Sequence, residues 1–317
     1  MREQTMNMTD EDGVDIFVYH WSPEEEVEIK GIVQIAHGMA ETAARYERFA
    51  RYLTDAGYVV LVNDHRGHGK TAGQVENLGY LGEDGFNWMV RAMAQVSHLI
   101  HEEYPGQPIY LFAHSMGSFL GQQFIYEYPK LIDGVILSGS NGKRGPELLA
   151  GIILSSLIAK VKGDKFRSKL VDELAFGSFN RHIVTPRTPF DWLSRDSKEV
   201  DKYVKDPYCG SLSTVSFYRD FFIMLRDIHK PENMSHIPRE LPVFIISGDE
   251  DPVGDRGQGI KRLVRMYNDL GMTQVSYKLY TGGRHELLNE TNRLEVMNDC
   301  LEWLNKQVKK RDENLSS

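Results

Sequence analysis

The stretch Pro108-Ile109-Tyr110-Leu111-Phe112-Ala113-His114-Ser115-Met116-Gly117 constrains this chain more than any other. A short apolar run bounded by Pro108 reads as a buried strand. It stops at His114-Ser115-Met116-Gly117, and from Ser118 to Tyr128 apolar residues recur at helical spacing until Pro129. A strand that turns sharply into a helix exposes the side chain at the turn, here Ser115. The free N–H groups of the first helical turn point at the same place.

The rest of the chain supplies neighbours for that strand. Gly31 to Ala36, Tyr58 to Asn63, Gly134 to Ser138, Pro242 to Ser247 and Gln274 to Tyr280 read as strands. Tyr58 to Asn63 is of the kind buried on both faces. Helical spacing covers Ala44 to Ala56, Gly85 to Tyr104, Gly257 to Leu270 and Thr291 to Lys309. Gln4 to Thr9 and Val14 to Trp21 alternate apolar and polar around Asp10-Glu11-Asp12-Gly13, the pattern of an antiparallel hairpin. Alternating strands and helices predict an α/β fold, a mostly parallel sheet with helices on both faces. The rhythm lapses between Asn141 and His236. That predicts an inserted, largely helical cap at 141–236, with 1–140 and 237–317 forming the core. The polar end, Lys309 to Ser317, is expected to fray.

A length of 317 residues is ample for such a core, and the formal net charge of −8 argues against a nucleic-acid partner. The two cysteines, Cys209 and Cys300, form no CxxC pair, so neither a disulfide framework nor a cysteine zinc site is expected. No signal-peptide core opens the chain and no run approaches a membrane span. The expectation is a soluble, cytoplasmic protein, either a monomer or a homodimer.

Ser115 sits where a nucleophile elbow, G-x-S-x-G, would place its serine, except that Ala113 stands at the first glycine. Serine also caps helices well, so the reading depends on its companions. A serine hydroxyl needs a base. His285 follows the last strand in a glycine-rich loop, at the strand end where α/β sheets keep their sites. A carboxylate should orient it. Asp249, Glu250 and Asp251 compete after Ser247-Gly248, and Asp251, before Pro252-Val253, is preferred. The backbone N–H groups of Met116 and Met39 are the candidate oxyanion donors. His37 reads as loop-shaping and as a candidate substrate contact, and Glu41 as a residue that fixes its loop. Asp64, His65 and His68 lack the further ligands a metal needs, and no cofactor is expected.

The region 141–236 bears on substrate. Leu148 to Val161 is apolar almost all round, and Lys160, Lys162, Lys165, Arg167 and Lys169 follow it. Such a helix packs on the core, or faces lipid or an acyl chain. Transient contact with an anionic membrane surface is one use of that pattern. Leu154, Leu157 and Phe221 are candidate substrate contacts, the last in Phe217 to Leu225, a candidate tunnel lining.

His37-Gly38-Met39-Ala40-Glu41, Arg45-Tyr46, Gly57-Tyr58, Asp64-His65-Arg66-Gly67-His68-Gly69, His114-Ser115-Met116-Gly117 and His285-Glu286-Leu287 together resemble the monoacylglycerol lipase/lysophospholipase group of α/β-hydrolases, serine aminopeptidase-like hydrolases. The match spans the N-terminal half and the C-terminal quarter; the cap matches in position only. The resemblance implies the α/β-hydrolase fold, a triad of Ser115, Asp251 and His285, and Met39 and Met116 as oxyanion donors. Ala113 departs from the family's glycine, but a small residue still fits the turn. The expected activity is hydrolysis of a lipid-like carboxylic ester. A peptidase or amidase on the same scaffold, and a non-catalytic binding protein, are the alternatives.

Overall fold

The computed structural model describes residues 1–315. Its strands are β1 (Arg2–Thr9), β2 (Asp15–Ser22), β3 (Gly31–Ala36), β4 (Tyr58–Asn63), β5 (Ile109–His114), β6 (Gly134–Ser138), β7 (Val243–Gly248) and β8 (Val275–Tyr280). They form one sheet in the order β1-β2-β4-β3-β5-β6-β7-β8. β2 pairs antiparallel with both β1 and β4, and every other pairing is parallel. The helices are α1 (Glu47–Asp55), α2 (Gly85–Glu103), α3 (Met116–Glu127), α4 (Glu147–Lys162), α5 (Lys169–Phe176), α6 (Ser197–Lys205), α7 (Val215–Asp227), α8 (Pro231–Met234), α9 (Gln258–Asp269) and α10 (Arg293–Leu315).

The central strands read as unbroken apolar runs because both faces are covered. Along β5, Ile109, Leu111 and Ala113 face one core layer, with α2, α3 and α9. Tyr110 and Phe112 face the other, with α1 and α10. The same alternation runs through β3, β4 and β6, which fixes the register of each strand against its neighbours.

Most boundaries fall within two residues of the sequence reading, and two of the differences have a visible cause. A 3₁₀ turn over Ala43–Tyr46 precedes α1, with the Thr42 side chain accepting the Ala44 N–H. The last helix continues to Leu315, so the stretch expected to fray is helical as far as it is described; Ser316 and Ser317 lie outside the described residues. Arg311 helps to hold those last turns, donating to the Gly106 carbonyl at 2.8 Å.

Between β6 and β7 lie α4 to α8 and no strand among the described residues. The α7 helix is rooted in the core: the Phe217 ring meets Phe86 at 5.2 Å, and Phe221 meets Phe119 at 6.1 Å between centroids. The α4 helix lies along α7.

Candidate active site

Ser115 sits at the turn between β5 and α3 with φ 53° and ψ −120°, a left-handed conformation costly for a residue with a Cβ. The turn is held from both sides. The Ser115 N–H donates to the Ser138 carbonyl at 2.9 Å, and the Ser115 carbonyl accepts from the Ser118 N–H at 2.8 Å and the Ser118 hydroxyl at 2.6 Å. Gly117 is required by contact: a Cβ there would lie 2.2 Å from the Ala36 carbonyl oxygen. The irregular Ala113 is accommodated by Gly121, whose own Cβ would come within 3.0 Å of the Ala113 methyl.

His285 and Asp251 complete a hydrogen-bonded chain. His285 Nε2 is 2.8 Å from Ser115 Oγ, and Nδ1 is 3.0 Å from each Asp251 oxygen. Asp251 is fully buried and also accepts the Val253 N–H at 2.9 Å and the Ser247 hydroxyl at 3.2 Å. The loops bearing Asp251 and His285 touch backbone to backbone, and a Cβ at Gly248 would sit 1.9 Å from the Gly283 carbonyl oxygen. The competing acids are engaged elsewhere. Asp249 accepts the Gly282 N–H at 2.6 Å, and Glu250 pairs with Arg256.

Burial alone would push His285 down. The Asp251 carboxylate reverses this through its charge and hydrogen bond, Glu286 and Glu41 add to it, and the imidazole ends above its ordinary value. The neighbouring His114, its ring 4.8 Å away, goes the other way: burial first, then the charge of His285, push it down to about 4. Of the two adjacent rings, only His285 is poised to take a proton. In such a chain the imidazole can accept the hydroxyl proton while the carboxylate stabilises the resulting cation.

Ser115 opens onto a cavity of about 540 Å³. Its wall is mostly apolar and includes Met39, Met116, Phe119, Leu154, Phe176, Trp192 and Phe221. The backbone N–H groups of Met39 and Met116 donate to no carbonyl among the described residues.

Two expected substrate contacts need correcting. His37 is fully buried and off the cavity wall. Its Nε2 accepts the His65 N–H at 2.9 Å, and its Nδ1 lies 2.8 Å from the Gly38 carbonyl, so the loop backbone occupies both ring nitrogens. Leu157 lies on the outer face of α4 and is 58% exposed. An α4 that is apolar on every side carries no phase in its sequence: Leu148, Gly151 and Leu154 turn inward, while Leu149, Ile153, Leu157 and Val161 turn out at four-residue intervals. In α7, Phe221, Phe222 and Leu225 reach the cavity, whereas Phe217 stays in the core. Glu41 does brace its loop, accepting the Gly38 N–H at 2.5 Å and the Tyr46 hydroxyl at 2.9 Å. Asp64 accepts the N–H groups of Ala43 and Lys70, each at 2.8 Å, and structures its turn.

Three features were missed. Trp192, from the turn Asp191–Leu193, packs its ring 5.0 Å from that of His285. The same turn accepts the Glu286 N–H at the Leu193 carbonyl, 2.7 Å away. Arg45 and Glu286 form an ion pair beside the site. No local spacing announces contacts between such distant positions.

Comparison with known proteins places this geometry in a family. The chain is 28% identical to a monoacylglycerol lipase of Mycolicibacterium smegmatis, over 92% of this chain and 93% of that protein. It is 26% identical to the human monoglyceride lipase, over 96% of this chain and 90% of that one. Among solved structures, a thermostable carboxyl esterase from Bacillus coagulans, in complex with glycerol, superimposes with a TM-score of 0.89 at 28% identity, covering 97% of this chain and 99% of the other. The fold is that of the α/β-hydrolases. The family described as serine aminopeptidase, S33 (Hydrolase_4) matches residues 27–292, and the chain belongs to it.

Proposed function

We propose that the protein is a serine esterase that hydrolyses carboxylic esters bearing an acyl chain, of monoacylglycerol or lysophospholipid type. The observation that carries the reading is the Ser115–His285–Asp251 chain opening directly onto a large apolar cavity. Ser115 Oγ attacks the ester carbonyl as His285 Nε2 takes its proton. Asp251 holds the imidazole with Nδ1 protonated and stabilises the imidazolium. The N–H groups of Met39 and Met116 receive the oxyanion. His285 then protonates the leaving alkoxide, and water attacks the acyl-enzyme with the same base. No step needs a cofactor. The named lipases and the esterase among its relatives support an ester as the substrate.

The family description names an aminopeptidase, but the site disfavours an amine-bearing substrate. Three of the four carboxylates on the cavity wall already hold an arginine, and the fourth holds a hydroxyl. Glu147 pairs with Arg144, Asp172 accepts the Tyr218 hydroxyl, and Glu41 and Glu286 hold Arg45.

In this reading residues 141–236 are a cap over the core formed by 1–140 and 237–317, and the acyl chain lies between them, against Leu154 and Phe221. The outward row Leu149, Ile153, Leu157 and Val161, each more than half exposed, supports transient contact of the cap with a lipid surface. No helix among the described residues is long and apolar enough to cross a membrane.

The test is turnover of p-nitrophenyl esters from acetyl to palmitoyl by the parent protein and Ser115→Ala. The expected result is a rate that rises from acetyl to medium or long chains and disappears in the variant. Substantial activity in folded Ser115→Ala refutes the nucleophile, and activity confined to acetyl esters refutes the acyl-chain reading.

A further inference from the structure

Arg45 and Glu286 stand 241 residues apart in the chain. Arg45 Nη1 donates to Glu286 Oε1 at 2.7 Å and Nη2 to Oε2 at 2.6 Å, a two-pronged pair. The same Nη1 donates to Glu41 Oε2 at 2.5 Å. The other oxygen of Glu41 accepts the N–H of Gly38. The three side chains are 13%, 5% and 6% exposed for Arg45, Glu41 and Glu286. The ion chain therefore runs from Gly38, one residue before Met39, to Glu286, one residue after His285. No backbone hydrogen bond joins those two loops among the described residues.

Stability alone is a weak reason to keep such a cluster. Burying ions costs about as much as their attraction returns. A planar guanidinium with two carboxylates does fix geometry, because each prong is directional. We infer that Glu41–Arg45–Glu286 is a clasp that sets the His285 loop against the Met39 loop, with Arg45 and Glu286 as positioning residues acting through His285 and Gly38. The inference rests on the proposed roles of Ser115, His285 and Met39.

The groups facing His285 are Asp251 from the loop after β7, Glu286 beside it, Glu41 with Arg45 from the loop after β3, and neutral His114 from the end of β5. Glu286→Gln keeps the shape and removes one negative charge. It lowers the proton affinity of His285 and loosens the fork. Arg45→Lys keeps the charge and removes the fork.

The experiment measures kcat, KM and the pH profile of kcat/KM on a p-nitrophenyl ester, with melting curves and fluorophosphonate labelling alongside. For both variants the expected result is kcat lower by about tenfold or more, the scale of a small misplacement, with KM nearly unchanged and labelling slowed in parallel. The acid limb should move to lower pH in Glu286→Gln and stay in place in Arg45→Lys. Glu286→Asp should recover part of the loss. Parent-like kcat and an unmoved limb in folded Glu286→Gln overturn the clasp, as does a change confined to KM. If both variants unfold, the cluster is a structural brace and the inference fails. Activity surviving in Ser115→Ala is a separate result, one that strikes the esterase reading itself.

Discussion

Buried neutral histidines should make this fold sensitive to mild acid, by an amount that follows from the structure. His68, His114 and His229 are each pushed down to about 4, above all by burial, with His37, His285 and Lys143 respectively pushing the same way. In the unfolded chain each titrates near 6.5. The unfolded state therefore binds protons that the native state refuses. The stability these residues confer is complete above about pH 6.5 and is lost as the pH falls toward 4. With pKa values of about 4 folded and about 6.5 unfolded, each histidine has lost about 2 kcal/mol by pH 5. Three lose about 6 kcal/mol, comparable to the roughly 5–15 kcal/mol that holds a typical domain together. His285, raised by Asp251 against its burial, works in the opposite direction but is a single group. Glu41, where Arg45 overcomes burial to hold the carboxylate at about 2, adds a loss only below the ordinary carboxylate range. Urea unfolding from pH 8 to pH 5 measures the effect. The midpoint should be flat above pH 7 and fall steeply below 6.5. His229 is off the cavity wall and bonded to Gln122 at 2.8 Å, so His229→Gln should remove about 2 kcal/mol of the loss at pH 5 without altering turnover. Stability that holds level to pH 5 and drops only in the carboxylate range refutes the reasoning.

Two further outcomes follow from the same geometry. Because Asp251 raises His285 above its ordinary value despite burial, and a general base works only when neutral, the acid limb of kcat/KM should lie above about pH 6.5; a limb below that value contradicts the assignment. On the outer face of α4, Ile153→Asp with Leu157→Asp should abolish cosedimentation with anionic vesicles while leaving turnover of a soluble short-chain ester within about twofold, since both side chains are more than half exposed and off the cavity wall; unchanged cosedimentation refutes a lipid-facing row.

What could be read from the chain was what local chemistry imposes. The bounds of β3, β4 and β6 match the apolar runs because a strand covered on both faces must be apolar throughout. Ser115 and Asp251 stood out because each follows such a run, and His285 because it follows the last strand in a glycine-rich loop; the structure brings the three together. What stayed hidden was phase and distance. Leu154 and Leu157 are one helical turn apart in a helix apolar on every side, yet one lines the cavity and the other faces solvent. Only the packing of α4 on α7 chooses between them. His37 was read as loop-shaping and as a candidate substrate contact, but its ring is spent on the backbone of its own loop and of the loop after β4. Arg45 and Glu286 were visible as residues of recurrent motifs and invisible as a pair. A pair so far apart in sequence has no period to betray it, and its meaning appears only when the loop after β8 reaches back over β7, β6 and β5 to the segment after β3. The sheet thus does more than carry the elbow. By placing β3 next to β5 it brings Met39 and Glu41 up to Ser115, and the one cation between Glu41 and Glu286 ties the loop at that point to the loop of the histidine.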